Sequence, residues 1–123
     1  MSIETNKSTP VDFLSLKVGG SKTYTKVIRV EHSPVDNRVF IHTETSDGRR
    51  FKCNEIWLRD HTGEVTWKTL FLNFDSTGSN ILAGSNISKL LEFYNVETLG
   101  DLVGKEILLE PKSNGFLAIV AYE

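Results

Sequence analysis

Apolar and polar residues alternate along most of this chain, the period-two signature of strands that turn one face to a core. Leu14, Leu16 and Val18 mark such a strand over 11–18. Tyr24, Thr25, Val27, Ile28 and Val30 mark a second over 24–30, rich in the β-branched and aromatic types that suit a pleated surface. Further extended stretches follow over 38–45, from 49 towards 58, and over 64–74. Between them lie Gly19-Gly20-Ser21, Ser33-Pro34-Val35-Asp36-Asn37, Ser46-Asp47-Gly48 and Asp60-His61-Thr62-Gly63, all clusters of turn-forming residues. The period then changes. Ile87, Leu90, Leu91 and Tyr94 stand at i, i+3, i+4 and i+7, one face of a helix over about residues 86–95. Ser85 or Asn86 supplies a capping oxygen and Asn95 a stop. A short turn over 98–104 leads to two last strands, 105–110 and 115–122, around Pro111-Lys112-Ser113-Asn114.

This order predicts a mainly β domain with one helix ahead of the final two strands. It suits a closed or partly closed barrel of five core strands with extra strands, the OB-fold, whose helix plugs the barrel bottom. SH3-like barrels more often lack such a helix. Periodicity does not decide which strands pair, so a sandwich stays open. Residues 1–10 are polar and end at Pro10, reading as a flexible N-terminal tail, and 11–123 read as a single domain. The whole chain has 123 residues, enough for one core and too short for two domains.

Composition narrows the chemistry. With 39% hydrophobic and 24% charged residues the chain is globular. Its one cysteine, Cys53, excludes an internal disulfide framework. His32, His42, His61 and Cys53 show none of the spacings of a metal site, so no metal and no cofactor are expected. Gly19-Gly20-Ser21-Lys22-Thr23 lacks the first glycine and the following helix of a phosphate-binding loop, and reads as a hairpin turn. No nucleophile elbow and no paired carboxylates point to an enzyme. Phe51 and Cys53, then Ile56 and Leu58 beyond a bulge near Asn54-Glu55, fit an inward face, which makes Cys53 a buried, inert thiol. No apolar run of about 18 residues suggests a membrane span, and the N-terminus lacks a signal-peptide pattern. A reducing cytoplasm is the expected location. Asn6-Lys7-Ser8 and Asn86-Ile87-Ser88 are then chance matches to the glycosylation pattern.

Charge changes the picture more. The net charge of -2 argues at first against nucleic acid. Between Lys17 and Lys68, however, ten basic residues face seven acidic ones, whereas from Thr69 onward three face seven. All five arginines, Arg29, Arg38, Arg49, Arg50 and Arg59, fall in the strand-rich part. Aromatic residues interleave with them. Alternation turns Arg50 and Lys52 outward, and Trp57 and Arg59 beyond the bulge. Arg38, Phe40 and His42 share one face, while Trp67 with Lys68 and Tyr24 with Lys26 add two further pairs. Cations beside aromatic platforms are what a single strand of nucleic acid requires, because phosphates seek the cations and unstacked bases the rings. Arg38, Arg50, Lys52 and Arg59 are thus expected on phosphates. Trp57, Phe40, Trp67 and Tyr24 are expected under bases, with Lys26 and Lys68 beside them.

The C-terminal part adds a resemblance. Ile87-Ser88-Lys89-Leu90-Leu91-Glu92-Phe93, then Val96, Leu99-Gly100-Asp101-Leu102-Val103-Gly104-Lys105-Glu106-Ile107 and Gly115-Phe116, resemble small phage proteins that bind single-stranded DNA, of the lactococcal-phage type. The resemblance implies an OB-fold and single-stranded DNA binding in replication or recombination, with little sequence preference. It rests on a helix face, turn glycines and a strand, so the binding residues come from charge and alternation. Val120-Ala121-Tyr122-Glu123 reads as strand, so recruitment of partners through a disordered acidic tail is not expected. Expected partners are single-stranded DNA, replication or recombination proteins and further copies of the chain, with no membrane. The alternative expectation is a protein-interaction or phage-assembly module on the same small barrel.

Overall fold

The computed structural model describes residues 22–123; the expected tail over 1–10, strand over 11–18 and turn at 19–21 lie outside the described residues. Among the described residues the chain folds as β1 (Thr23–Ser33), β2 (Arg38–Glu44), β3 (Arg50–Cys53), β4 (Glu55–Arg59), β5 (Val65–Thr69), α1 (Asn86–Phe93), a 3-10 turn (Gly100–Leu102), β6 (Glu106–Pro111) and β7 (Leu117–Val120). The protein is mainly β, with its one helix ahead of the last two strands. All seven strands join one mixed sheet in the order β3-β2-β1-β6-β7-β4-β5, in which only the β4–β7 pair is parallel.

The stretch expected as one strand over 49–58 is two, because inward Cys53 and inward Ile56 are three residues apart and alternation must slip between them. At Asn54 the chain leaves β2 and joins β7 and β5 as β4. The place vacated beside β2 is taken by the segment after β5. Leu70 N–H donates to Asn54 O at 2.7 Å, Val39 N–H to Leu70 O at 3.0 Å and Leu72 N–H to Asn37 O at 2.7 Å.

This break sets the overall curvature. In sheet order β3 and β4 are five positions apart, which in a flat sheet would be about 24 Å at ~4.8 Å per strand. One intervening residue spans about 7 Å at most. The sheet therefore curls around its core. Its strand ladder is not closed into a barrel; the covalent chain at Asn54 links the edge strand β3 to β4, next to the other edge strand β5.

The helix closes one side of that curl. Ser85 caps it, its Oγ accepting from Ser88 N–H at 3.2 Å, and Asn95 ends it in the left-handed region at φ 57°. Ile87, Leu90 and Leu91 enter a core shared with Val39, Ile41, Ile56, Leu70, Ile107, Leu109 and Ile119. Each fully buried aliphatic side chain there contributes about 1.5–3 kcal/mol of transfer free energy. Tyr94 fastens the helix end to the sheet: its hydroxyl donates to Val120 O at 2.6 Å and accepts from Leu108 N–H at 3.3 Å. No helix among the described residues is long and apolar enough to cross a membrane.

Candidate nucleic-acid interface

The outward face of β1, β2 and β3 is an ordered grid set by strand register. Lys26, Glu44 and Arg50 form one row; Arg29, His42 and Lys52 form the next. Glu31 and Phe40 form a third, and Ser33, Arg38 and Phe71 a fourth, the last through an isolated bridge from the segment beside β2. From Glu44 to Arg38 the grid runs six residues along β2, about 20 Å at the strand rise. It carries five cations (Lys26, Arg29, Arg38, Arg50, Lys52) against two carboxylates (Glu31, Glu44). An open groove of about 430 Å³ crosses it, lined by Ile28, Arg29, His42, Thr43, Arg50, Phe51 and Lys52.

Arg29 reaches this face because of a β-bulge. Strict alternation from inward Val27 would turn Arg29 into the core. The register shifts between Val27 and Arg29, Ile28 is extruded, and the arginine points to solvent. Reading the sequence with unbroken alternation misses it. The available signal was the three-residue spacing of both Val27/Val30 and Lys26/Arg29, which no regular strand can satisfy. Phe71 was missed for a related reason, since only a long-range bridge brings it beside Arg38.

The charges on this face engage one another loosely. Arg50 Nε donates to Glu44 Oε2 at 2.7 Å, with the arginine side chain 73% exposed. Arg38 Nε lies 3.3 Å from Asp36 Oδ2. Glu31 Oε1 gathers three partners: His42 Nε2 at 2.8 Å, Arg29 Nη2 at 3.6 Å and Lys52 Nζ at 3.8 Å. The hydrogen bond from His42 holds the Glu31 carboxyl below its ordinary value; the charges of Lys52 and Arg29 add to this and desolvation opposes it. Lys52 Nζ also lies 4.4 Å from the centre of the Phe40 ring. No family model, curated protein or solved structure matches the chain.

The remaining expected residues stand elsewhere on the sheet. Tyr24, 67% exposed, and Lys26 continue the grid along β1, beside a second groove that also touches Glu44 and Glu106. Trp57 and Trp67 face each other across β4 and β5. Trp57 is half-buried and its Nε1–H donates to Glu110 O at 3.0 Å. Trp67 is 45% exposed, but Lys112 Nζ sits 4.4 Å over its ring while also pairing with Glu55. Arg59 donates to Gly63 O at 2.7 Å and Glu123 O at 2.6 Å, and its guanidinium lies 5.6 Å from the Tyr122 ring centre. Lys68 is exposed on β5, the outermost strand there. The structure thus gathers Lys26, Arg38, Phe40, Arg50 and Lys52, with Tyr24 adjoining. It sets Trp57, Arg59, Trp67 and Lys68 apart.

Cys53 is buried, and burial, with Glu55 nearby, pushes its thiol up to about 12. A thiol so protonated is a poor nucleophile. Among the described residues no three of His, Cys, Asp and Glu gather as metal ligands would.

Proposed function

We propose that this chain binds single-stranded DNA with little sequence preference through the β1–β3 face. The observation that carries the reading is the grid itself: five cations and two aromatic rings, Phe40 and Phe71, on one outward surface some 20 Å long. Arg29, Arg38, Arg50 and Lys52 bind phosphates, and the rings take bases, a scheme that reads no base edges and so tolerates any sequence. Resemblance of the 87–107 segment to phage single-stranded DNA-binding proteins supports DNA as the ligand and replication or recombination as the setting. The OB-fold reading fits a curled sheet with one helix before its last two strands.

The test is anisotropy of a labelled oligothymidylate titrated with the full chain between about 50 and 200 mM salt. Binding that saturates at low salt and weakens steeply with salt supports the reading, with oligouridylate and duplex DNA as competitors. No binding at low salt, or binding unaltered in the Arg50→Ala, Lys52→Ala double variant, overturns it. One observation favours a second reading, a protein-interaction module: Phe74 and Leu82 are exposed on the paired stem of one loop, where Phe74 stands opposite Ile81 and Leu82 N–H donates to Asn73 O at 2.8 Å. Gel filtration with and without oligonucleotide separates the two.

A further inference from the structure

The second row of the grid holds an arrangement that phosphate binding alone does not require. Arg29, His42 and Lys52 stand side by side across three strands, and a single carboxylate oxygen, Glu31 Oε1, sits among their nitrogens at 2.8 to 3.8 Å. Nothing else about Glu31 requires that placement, since its side chain is 37% exposed and could face water. One oxygen shared by a guanidinium, an ammonium and an imidazole has the coordination expected of a phosphate oxygen. Resting on the nucleic-acid reading above, we infer that Arg29, His42 and Lys52 form a phosphodiester subsite that Glu31 occupies in the absence of DNA and yields when DNA binds.

Two anionic oxygens cannot share one place among these donors, so the occupancy is exclusive, and His42 serves whichever anion is there. Its Nε2 lies 2.8 Å from Glu31 Oε1 and 3.2 Å from Arg29 Nη2. With a proton on Nε2 it donates to the carboxylate; with that nitrogen bare it accepts from Arg29. It cannot do both at once. A phosphate oxygen in Glu31's place takes the Nε2 proton and a guanidinium proton together. Lys52 completes the exchange, because moving onto the phosphate takes its ammonium off the Phe40 ring and uncovers that ring for a base. The displaced carboxylate stays near and repels the incoming charge. Glu31 therefore acts as a built-in competitor that lowers affinity and speeds release.

The test compares oligothymidylate binding by the full-length protein and its Glu31→Gln variant, which keeps size and hydrogen bonding but removes the charge. The expected result is about tenfold tighter binding at low salt, the scale of a few exposed ion pairs no longer competed for. The salt slope should steepen by less than about 0.7, because both proteins hold the same phosphates and the variant lacks only the displaced carboxylate's opposing charge. Adding Arg29→Ala to Glu31→Gln should cancel most of the gain. Equal or weaker binding by a Glu31→Gln variant with an unchanged circular dichroism spectrum overturns the inference while leaving the wider reading intact. Absence of binding by both proteins overturns the function itself, and the subsite with it.

Discussion

The β1–β3 face and the β4–β7 face are built from the same residue types, arginine, lysine and aromatic rings, and use them in opposite ways. On β4–β7 the polar atoms are committed to the fold: Trp57 to a backbone carbonyl, Arg59 to two, Lys112 to Glu55 and the Trp67 ring, Tyr122 to Glu110 at 2.9 Å. On β1–β3 the ion pairs are to carboxylates that are half-buried or exposed and that water or another anion can replace, with Arg29 also beside His42 and Lys52 over the Phe40 ring. A basic residue beside an aromatic one therefore does not by itself say whether its donors are free. What distinguishes the faces is whether the donors are already satisfied by groups that cannot leave.

The sharpest way to break this contrast is at Lys112. Its side chain is 6% exposed and pairs with Glu55, 17% exposed. Removing one member of a buried pair leaves the other charge desolvated, at a cost of about 3–5 kcal/mol. Lys112→Ala should lose about 3 kcal/mol in urea unfolding, near the lower end because Glu55 keeps some water. Oligonucleotide affinity of the folded protein should not change. A small stability loss with a large affinity loss would reverse the assignment of the two faces.

The converse experiment is the Arg50→Ala, Lys52→Ala pair. Affinity for oligothymidylate should fall at least tenfold at low salt, and the salt slope should become shallower by about 1.4, two phosphates' worth. Stability should stay within about 0.5 kcal/mol, as for most exposed substitutions. Arg59→Ala should do the opposite, lowering the unfolding midpoint through its lost carbonyl contacts and leaving affinity unchanged.

These two faces also mark how far the sequence could be read. Strands, turns and the helix were legible because β-branched alternation and the Ile87/Leu90/Leu91/Tyr94 stripe are local signals. The slip at Asn54 was legible too, since two inward apolar residues three apart admit few alternatives. Commitment of a side chain was not. That Trp57 meets Glu110, or that Lys112 in a polar turn lies over Trp67, depends on pairings between segments more than forty residues apart. Alternation told which residues face outward and could not tell which outward residues are covered. Arg29 shows the remaining gap, because a bulge reverses a side chain while leaving composition untouched.

A smaller effect separates the aromatic rings. Phe40→Leu keeps apolar bulk and removes the ring, and should weaken oligothymidylate binding about fivefold or more if a base stacks there, at 1–3 kcal/mol per base. Trp67→Leu should change binding less than about twofold, because Lys112 already covers its ring. Equal losses would mean that the strand of DNA crosses both faces.

The smallest expected effects come from two matched hairpin turns, one at each face. Asp47 closes the turn between β2 and β3, accepting from Thr45 Oγ1 and from Arg49 Nε at 3.1 Å. Asp60 closes the turn between β4 and β5, accepting from Thr62 Oγ1 at 2.5 Å and Thr62 N–H at 2.9 Å. Both carboxyls are held below their ordinary value of 3.8, Asp47 chiefly by the Thr45 hydroxyl and then Arg49, Asp60 chiefly by the Thr62 hydroxyl. A folded-state value below the unfolded one gives stability that is fully present above the unfolded value and lost as pH falls through the folded one. Asp47→Asn and Asp60→Asn should therefore both lower the unfolding midpoint slightly at pH 7, with the deficit constant down to about pH 5 and shrinking below pH 4. Binding should tell them apart. Asp47→Asn removes a negative charge beside the grid and should tighten oligothymidylate binding by less than about threefold, an effect that salt erases. Asp60→Asn, on the committed face, should leave binding where it was. Tightening by Asp60→Asn alone would put the phosphates on β4–β5, and the satisfied donors there would have to open to receive them.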